Sequence, residues 1–409
     1  EIMKVKDLKT INLIVNKGWI GNNVPSGVTE VEFTVNANGE SSGTIRVKAN
    51  PAENWSGTKE KLNRYKDGKA IDYTVNEVKG NNYELKGVAK SKTDNNGNIT
   101  FTATNKNTEK INFKVVKKWG NTPSELQFDT NVQLYKNGNK ERDQVKLTAN
   151  DNWETSFEGL PKYDEDGKEI NYTVKEVNEN DVEEAGEKIT LKSYDYQVKH
   201  SNDGTKNEDT ITNTVTNADK YTFEVTATKK WEGGVSKKDV VFTFTNKNNT
   251  ENTYKLTLKP SNKTDESTWV GKISLPKYNP DNSFAEYTVD EVKVPGFTTT
   301  GDKDKIVSYN NSSVEFTNKR DEKKIIVTKE WGATPKEFID KVTVVLTGTA
   351  DGYNKSESEE IAKGENTATF TVPTHTPDGK EITYKATEQG EKDGKVLING
   401  KEFEVTYPE

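Results

Sequence analysis

The sequence predicts an all-β chain of four similar sandwich domains, and three observations carry that prediction. Short runs of alternating apolar and polar residues are split by Asn, Gly, Asp and Pro clusters, the pattern of half-buried strands joined by tight turns. Helical periodicity is nearly absent. Two motifs recur four times at near-constant spacing, which marks one fold repeated along the chain.

The first motif opens each repeat: Ile14-Val15-Asn16-Lys17-Gly18-Trp19, Val115-Val116-Lys117-Lys118-Trp119, Ala227-Thr228-Lys229-Lys230-Trp231 and Val327-Thr328-Lys329-Glu330-Trp331. The second is Tyr73-Thr74-Val75-Asn76-Glu77, Tyr172-Thr173-Val174-Lys175-Glu176, Tyr287-Thr288-Val289-Asp290-Glu291 and Tyr384-Lys385-Ala386-Thr387-Glu388. The Lys-to-Glu separations are 60, 59, 62 and 59 residues. Between the two, three repeats carry a second tryptophan, Trp55, Trp153 and Trp269, expected to anchor a thin core as large buried aromatics do. A turn follows, as in Leu160-Pro161-Lys162-Tyr163 and Leu275-Pro276-Lys277-Tyr278. Polar stretches at 107–110, 217–220 and 319–322 place the domains at 1–109, 110–219, 220–321 and 322–409. Linkers this short predict a semi-rigid, elongated array.

Composition narrows the function. Hydrophobic and charged residues make up 30% and 31% of the 409 residues, so each core is thin and each surface wet. A net charge of −7 without a Lys/Arg block argues against nucleic acid or anionic membranes as partners. No apolar run approaches a membrane span, and Glu1-Ile2-Met3-Lys4 does not begin a signal peptide, so the expectation is a mature or excised segment. The absence of cysteine removes disulfides, zinc-thiolate sites and thiol nucleophiles. Two histidines, His200 and His375, in non-equivalent positions are poor material for a Ser-His-Asp site. The acidic run Asp164-Glu165-Asp166-Gly167 lacks the ligand spacing of an EF-hand and reads as a hairpin turn. Neither a metal nor a cofactor is expected, nor a turnover enzyme.

Alternation then picks out three polar residues on inward faces. Phe113, Val115, Lys117 and Trp119 share one face of a strand, as do Val225, Ala227, Lys229 and Trp231. The stripe Ile170, Tyr172, Val174 ends on Glu176, and Ile99, Phe101, Ala103 ends on Asn105. An unpaired buried charge costs several kcal/mol. Spacing alone leaves two readings: a buried, hydrogen-bonded Lys–Glu–Asn cluster or strand ends turned to solvent, against a reactive set. In the second, burial lowers the lysine pKa and raises that of the glutamate. The neutral amine attacks the asparagine amide while the protonated acid assists, leaving a Lys–Asn isopeptide bond.

These motifs resemble the Cna B-type repeat found in collagen-adhesin stalks and pilins of Gram-positive bacteria. The residues carrying the resemblance are the Val-x-Lys-x-Trp opening, the Leu-Pro-Lys-Tyr turn with Asp-Gly-Lys-Glu-Ile after it, the Tyr-Thr-Val-x-Glu strand and the apolar-Thr-Asn close. Val294-Pro295-Gly296-Phe297 also resembles the continuation of a pilin E-box. The resemblance implies an Ig-like sandwich of inverse topology with an intramolecular Lys–Asn bond promoted by an acid. Carried onto this chain, the sets are Lys17, Glu77 and Asn105; Lys117, Glu176 and Asn217; Lys229, Glu291 and Asn318. In the second, Asn213 shares the strand face, and Asn217 is preferred because its distance to the next lysine, 12 residues, equals that of Asn105. The fourth repeat offers Lys329 and Glu388 but no closing apolar-Thr-Asn strand, so those two are expected to be unbonded and at most ion-paired.

The resulting expectation is a monomeric stalk or spacer of a Gram-positive surface adhesin, extracellular and held to the cell wall through a region outside these residues. Any host extracellular-matrix partner is expected to be met by other parts of the parent protein. The alternative is a ligand-binding adhesin module that recognises a matrix protein through loops or an exposed sheet.

Overall fold

The computed structural model describes residues 9–202 and 206–408; the segment Glu1–Lys4 considered above lies outside them. Strands dominate, interrupted by six short 3-10 turns, and no α-helix occurs among the described residues. The chain divides into two compact units, Glu1–Thr216 and Asn217–Glu409, and each holds two sandwich repeats.

Every complete repeat packs two sheets. In the second, one sheet runs in the order Glu154–Pro161, Lys110–Trp119, Glu208–Val215, Tyr194–Ser201, Lys188–Leu191, and the other in the order Asn139–Leu147, Thr130–Lys136, Tyr172–Val177. The first and third repeats keep the same central arrangement. Their opening strands, Thr10–Trp19 and Thr222–Glu232, lie beside their closing strands, Asn98–Asn107 and Ser313–Arg320. These opening and closing strands run parallel while almost every other neighbour is antiparallel. A parallel pair needs a long crossover, and here the rest of the repeat supplies it.

The alternating sequence explains the layers. Leu13, Val15, Val115, Val225 and Ala227 are fully buried on opening strands, facing Phe33, Leu134, Phe242 and Phe244 from the opposite sheet. Each of these side chains larger than alanine contributes about 1.5–3 kcal/mol when removed from water. One hydrogen bond recurs in all four repeats and fixes the second motif against the turn before it. Tyr73, Tyr172, Tyr287 and Tyr384 donate their hydroxyls to the carbonyls of Asn63, Pro161, Pro276 and Pro373 at 2.6, 2.6, 2.7 and 2.6 Å.

The acidic run of the second repeat forms a turn: Asp164 Oδ1 accepts from the amides of Asp166 and Lys168 at 3.0 and 2.8 Å. That turn also packs on the first repeat. Gly21 and Gly167, both at positive φ, meet back to back, so a Cβ on Gly167 would lie 2.6 Å from the Ile20 carbonyl oxygen. Asn23 donates to the Gly167 carbonyl, and Lys106 pairs with Glu165.

The fourth repeat has a two-stranded sheet, Glu322–Thr328 with Thr367–Pro373, against a three-stranded one. Nothing among the described residues pairs with the far edge of Glu322–Thr328, and its apolar stripe, Ile325 and Val327, is only half-buried.

Candidate functional site

In each complete repeat the structure gathers one lysine, one glutamate and one asparagine between the sheets. The lysine comes from the opening strand, the asparagine from the parallel closing strand, and the glutamate from the edge strand of the facing sheet. The register is the same three times: Trp19 lies opposite Asn105, Trp119 opposite Asn213, and Trp231 opposite Asn318. The lysine two residues before each tryptophan shares its face.

The contacts repeat as closely. Asn105, Asn213 and Asn318 donate Nδ2 to Oε1 of Glu77, Glu176 and Glu291 at 2.6, 2.9 and 2.7 Å. The ammonium nitrogens of Lys17, Lys117 and Lys229 lie 3.8, 3.2 and 2.7 Å from the same three carboxyl groups. All three lysine side chains are wholly buried, as are the three asparagines. The asparagine Oδ1 atoms are buried without a hydrogen-bond partner in all three repeats, which leaves each amide carbonyl unsatisfied.

Asn217, preferred from spacing, is not the residue at this site. It lies past the end of the closing strand Glu208–Val215, just before the 3-10 turn Ala218–Lys220. The correction has a plain cause. Spacing to the next lysine counts the linker as well as the strand, and here that turn lengthens it. Register against Trp119 has no such dependence and selects Asn213.

Burial governs the electrostatics. Desolvation pulls Lys17, Lys117 and Lys229 down to about 8, against the opposing pull of their glutamates. Desolvation likewise raises Glu77, although its hydrogen bond from Asn105 and the charge of Lys17 act the other way. An aromatic wall keeps water out. The lysine nitrogens sit 4.3, 4.4 and 5.1 Å from the ring centres of Trp19, Trp119 and Trp231. Those rings meet Trp55, Trp153 and Trp269 edge to face at 5.4, 5.4 and 4.9 Å. Trp55 and Trp153 adopt φ of +59° and +58°, a conformation unfavourable for a bulky residue. From it the carbonyl of each accepts from the amide of Lys17 or Lys117 at 2.7 Å.

The matching positions of the fourth repeat hold an ion pair, Lys329 to Glu388 at 2.6 Å, with no asparagine against it among the described residues.

The Cna protein B-type domain family matches residues 13–106 and 113–218. The first two repeats are thus Cna B-type domains. Over 96% of its length it is 27% identical to the collagen adhesin of Staphylococcus aureus, and it spans about a third of that protein (31%). Among solved structures, two B repeat units of the collagen binding protein of Staphylococcus aureus share 22% identity, with 95% of each chain covered and a TM-score of 0.24. The Bacillus anthracis TIE protein shares 15% identity over 98% of this chain and 74% of that one, with a TM-score of 0.34.

Two groupings in these repeats escaped the sequence reading. In the third, exposed Phe284 stacks against Tyr278 and Tyr309 at 5.4 and 4.9 Å, although no aromatic surface cluster is visible in the sequence. In the second, His200 stands between Glu184 and Asp209. Neither has a local signal, because their members come from separate loops and strands.

Proposed function

We propose that this chain is a structural spacer of a Gram-positive surface adhesin, stiffened by three self-made Lys–Asn isopeptide bonds. The observation that carries the reading is the thrice-repeated buried set, with the asparagine always opposite the tryptophan two residues beyond the lysine. Kinship with a collagen adhesin supports the surface role. The fourth repeat serves as an unbonded member of the series.

The chemistry balances within each set. The neutral Lys Nζ attacks Asn Cγ, forming a C–N bond, and the bond from Cγ to Nδ2 breaks. The attacking nitrogen gives up a proton, the leaving nitrogen gains one, and ammonia departs. The glutamate carboxyl relays that proton and hydrogen-bonds the amide oxygen as charge develops there. Contact between the groups supplies the proximity term, worth roughly 7–11 kcal/mol of barrier.

Intact-mass measurement should show the chain lighter than its sequence by three ammonias. Asn213→Ala should leave two losses and Asn217→Ala all three. A mass equal to the unreacted sequence would sink the proposal.

Acidity supplies a second check. The reactive state of the first repeat, neutral Lys17 with protonated Glu77, contains as many protons as the ion pair. Its population is therefore flat with pH between the raised pKa of Glu77 and the value of about 8 for Lys17. Above that upper value Glu77 loses the proton it must deliver. Cross-linking of freshly refolded chain, followed by mass after acid quench, should be fastest near neutrality and slow about tenfold per pH unit above about 8. A rate that keeps climbing to pH 10 would exclude a protonated glutamate from the step.

A further inference from the structure

We infer that Glu184, braced by His200, is a positioning residue for Glu176 in the second repeat; this rests on the isopeptide reading of that site. Tyr172–Val177 is an edge strand, paired on one side only within its sheet. The outward backbone groups of Glu176 therefore need partners, and Glu184 supplies both. Its amide donates to the Glu176 carbonyl at 2.9 Å, and its Oε2 accepts from the Glu176 amide at 2.8 Å.

The other oxygen of Glu184 faces the opposite sheet. Oε1 lies 2.5 Å from His200 Nε2, and His200 Nδ1 lies 2.6 Å from Asp209 Oδ2. Carboxylates only accept, so the ring must donate from both nitrogens as an imidazolium. Burial alone would lower its pKa, but hydrogen bonds to Asp209 and Glu184 outweigh that and raise it to about 10.

The placement of the brace is what matters. His200 is in register with Ile211, and Ile211 with Lys117; Asp209, on the same closing strand, is in register with Val115. The brace thus ties the backbone of the acid to the strands that carry the lysine and the asparagine. It fixes the separation across which the amine, amide and acid must meet. Other repeats solve the same backbone problem differently. The amide of Glu291 donates to Asp290 Oδ1 at 2.9 Å, and that of Glu388 to the Tyr407 hydroxyl at 2.8 Å. Among the described residues, only the second repeat uses a carboxylate held from the opposite sheet.

The full chain, accumulated unfolded in denaturant and diluted into native buffer, allows a test with internal controls. Proteolysis and mass spectrometry then time the Lys17–Asn105, Lys117–Asn213 and Lys229–Asn318 cross-links in one tube. Glu184→Ala should slow the second cross-link about tenfold or more, as sub-ångström misplacement does, and leave the other two unchanged. Glu184→Gln should stay within about threefold of the parent, because its amide oxygen still accepts from Glu176 and its amide nitrogen can donate to a neutral His200. The inference fails if Glu184→Ala forms the second cross-link at the parent rate, if all three slow together, or if the glutamine variant is as slow as the alanine one. Absence of every cross-link in the parent chain would instead refute the isopeptide reading itself, and this inference with it.

Discussion

Glu291→Ala is expected to leave Lys229 and Asn318 unjoined, retaining one ammonia and lowering the melting midpoint of the third repeat by at least on the order of 20 °C. Two effects combine. Losing a cross-link that closes a loop of 89 residues, from Lys229 to Asn318, costs about 4–5 kcal/mol if the chain-entropy model for disulfides carries over. The variant also strands a wholly buried amine, and removing one partner of such a pair costs about 3–5 kcal/mol. Adding Lys229→Met separates the two, because it removes the stranded amine without restoring closure. Calorimetry of parent, single and double variants should place the double variant between the others. A single variant that melts with the parent, or that still loses three ammonias, would remove Glu291 from the chemistry.

The second large effect is mechanical. Stretched from end to end in a single-molecule experiment, the parent chain is expected to lengthen by unfolding of the fourth repeat alone. In each of the first three, tension would enter the opening strand, cross the isopeptide bond and leave by the closing strand. Everything between would carry no load. Glu176→Ala should add one new event that releases the 96 residues from Lys117 to Asn213, roughly 320–350 Å of contour at about 3.3–3.6 Å per residue. Four equal events in the parent would show that its sandwiches are held by noncovalent contacts only.

How much of this could be read in the sequence depends on geometry. Period-two alternation places Lys117 beside Val115 on a buried face and Glu176 beside Val174, so the lysines and glutamates stand out as polar residues in apolar stripes. The same rule cannot separate Asn213 from Asn217, which share parity. Only pairing between strands almost a hundred residues apart decides it. Glu184 and His200 lie further from view: one occupies a connection after the Glu176 strand, and the other ends the stripe Tyr196, Val198, His200. Their meeting is a product of the closed sandwich. The left-handed backbone of Trp55 and Trp153 is equally hidden, since nothing in composition calls a tryptophan into a conformation usually taken by glycine or asparagine.

The indole walls give the proposed reaction an optical signature. Before it, an amine that is mostly protonated below about pH 8 stands within 4.3–5.1 Å of the ring centres of Trp19, Trp119 and Trp231. Afterwards a neutral amide occupies that place. Emission wavelength responds to charge beside the ring, so bond formation would shift tryptophan fluorescence without any change of fold. The fourth repeat, where Lys329 stays over Trp331 at 4.8 Å, would hold a constant spectrum, and the progress of each cross-link could be followed by light in real time.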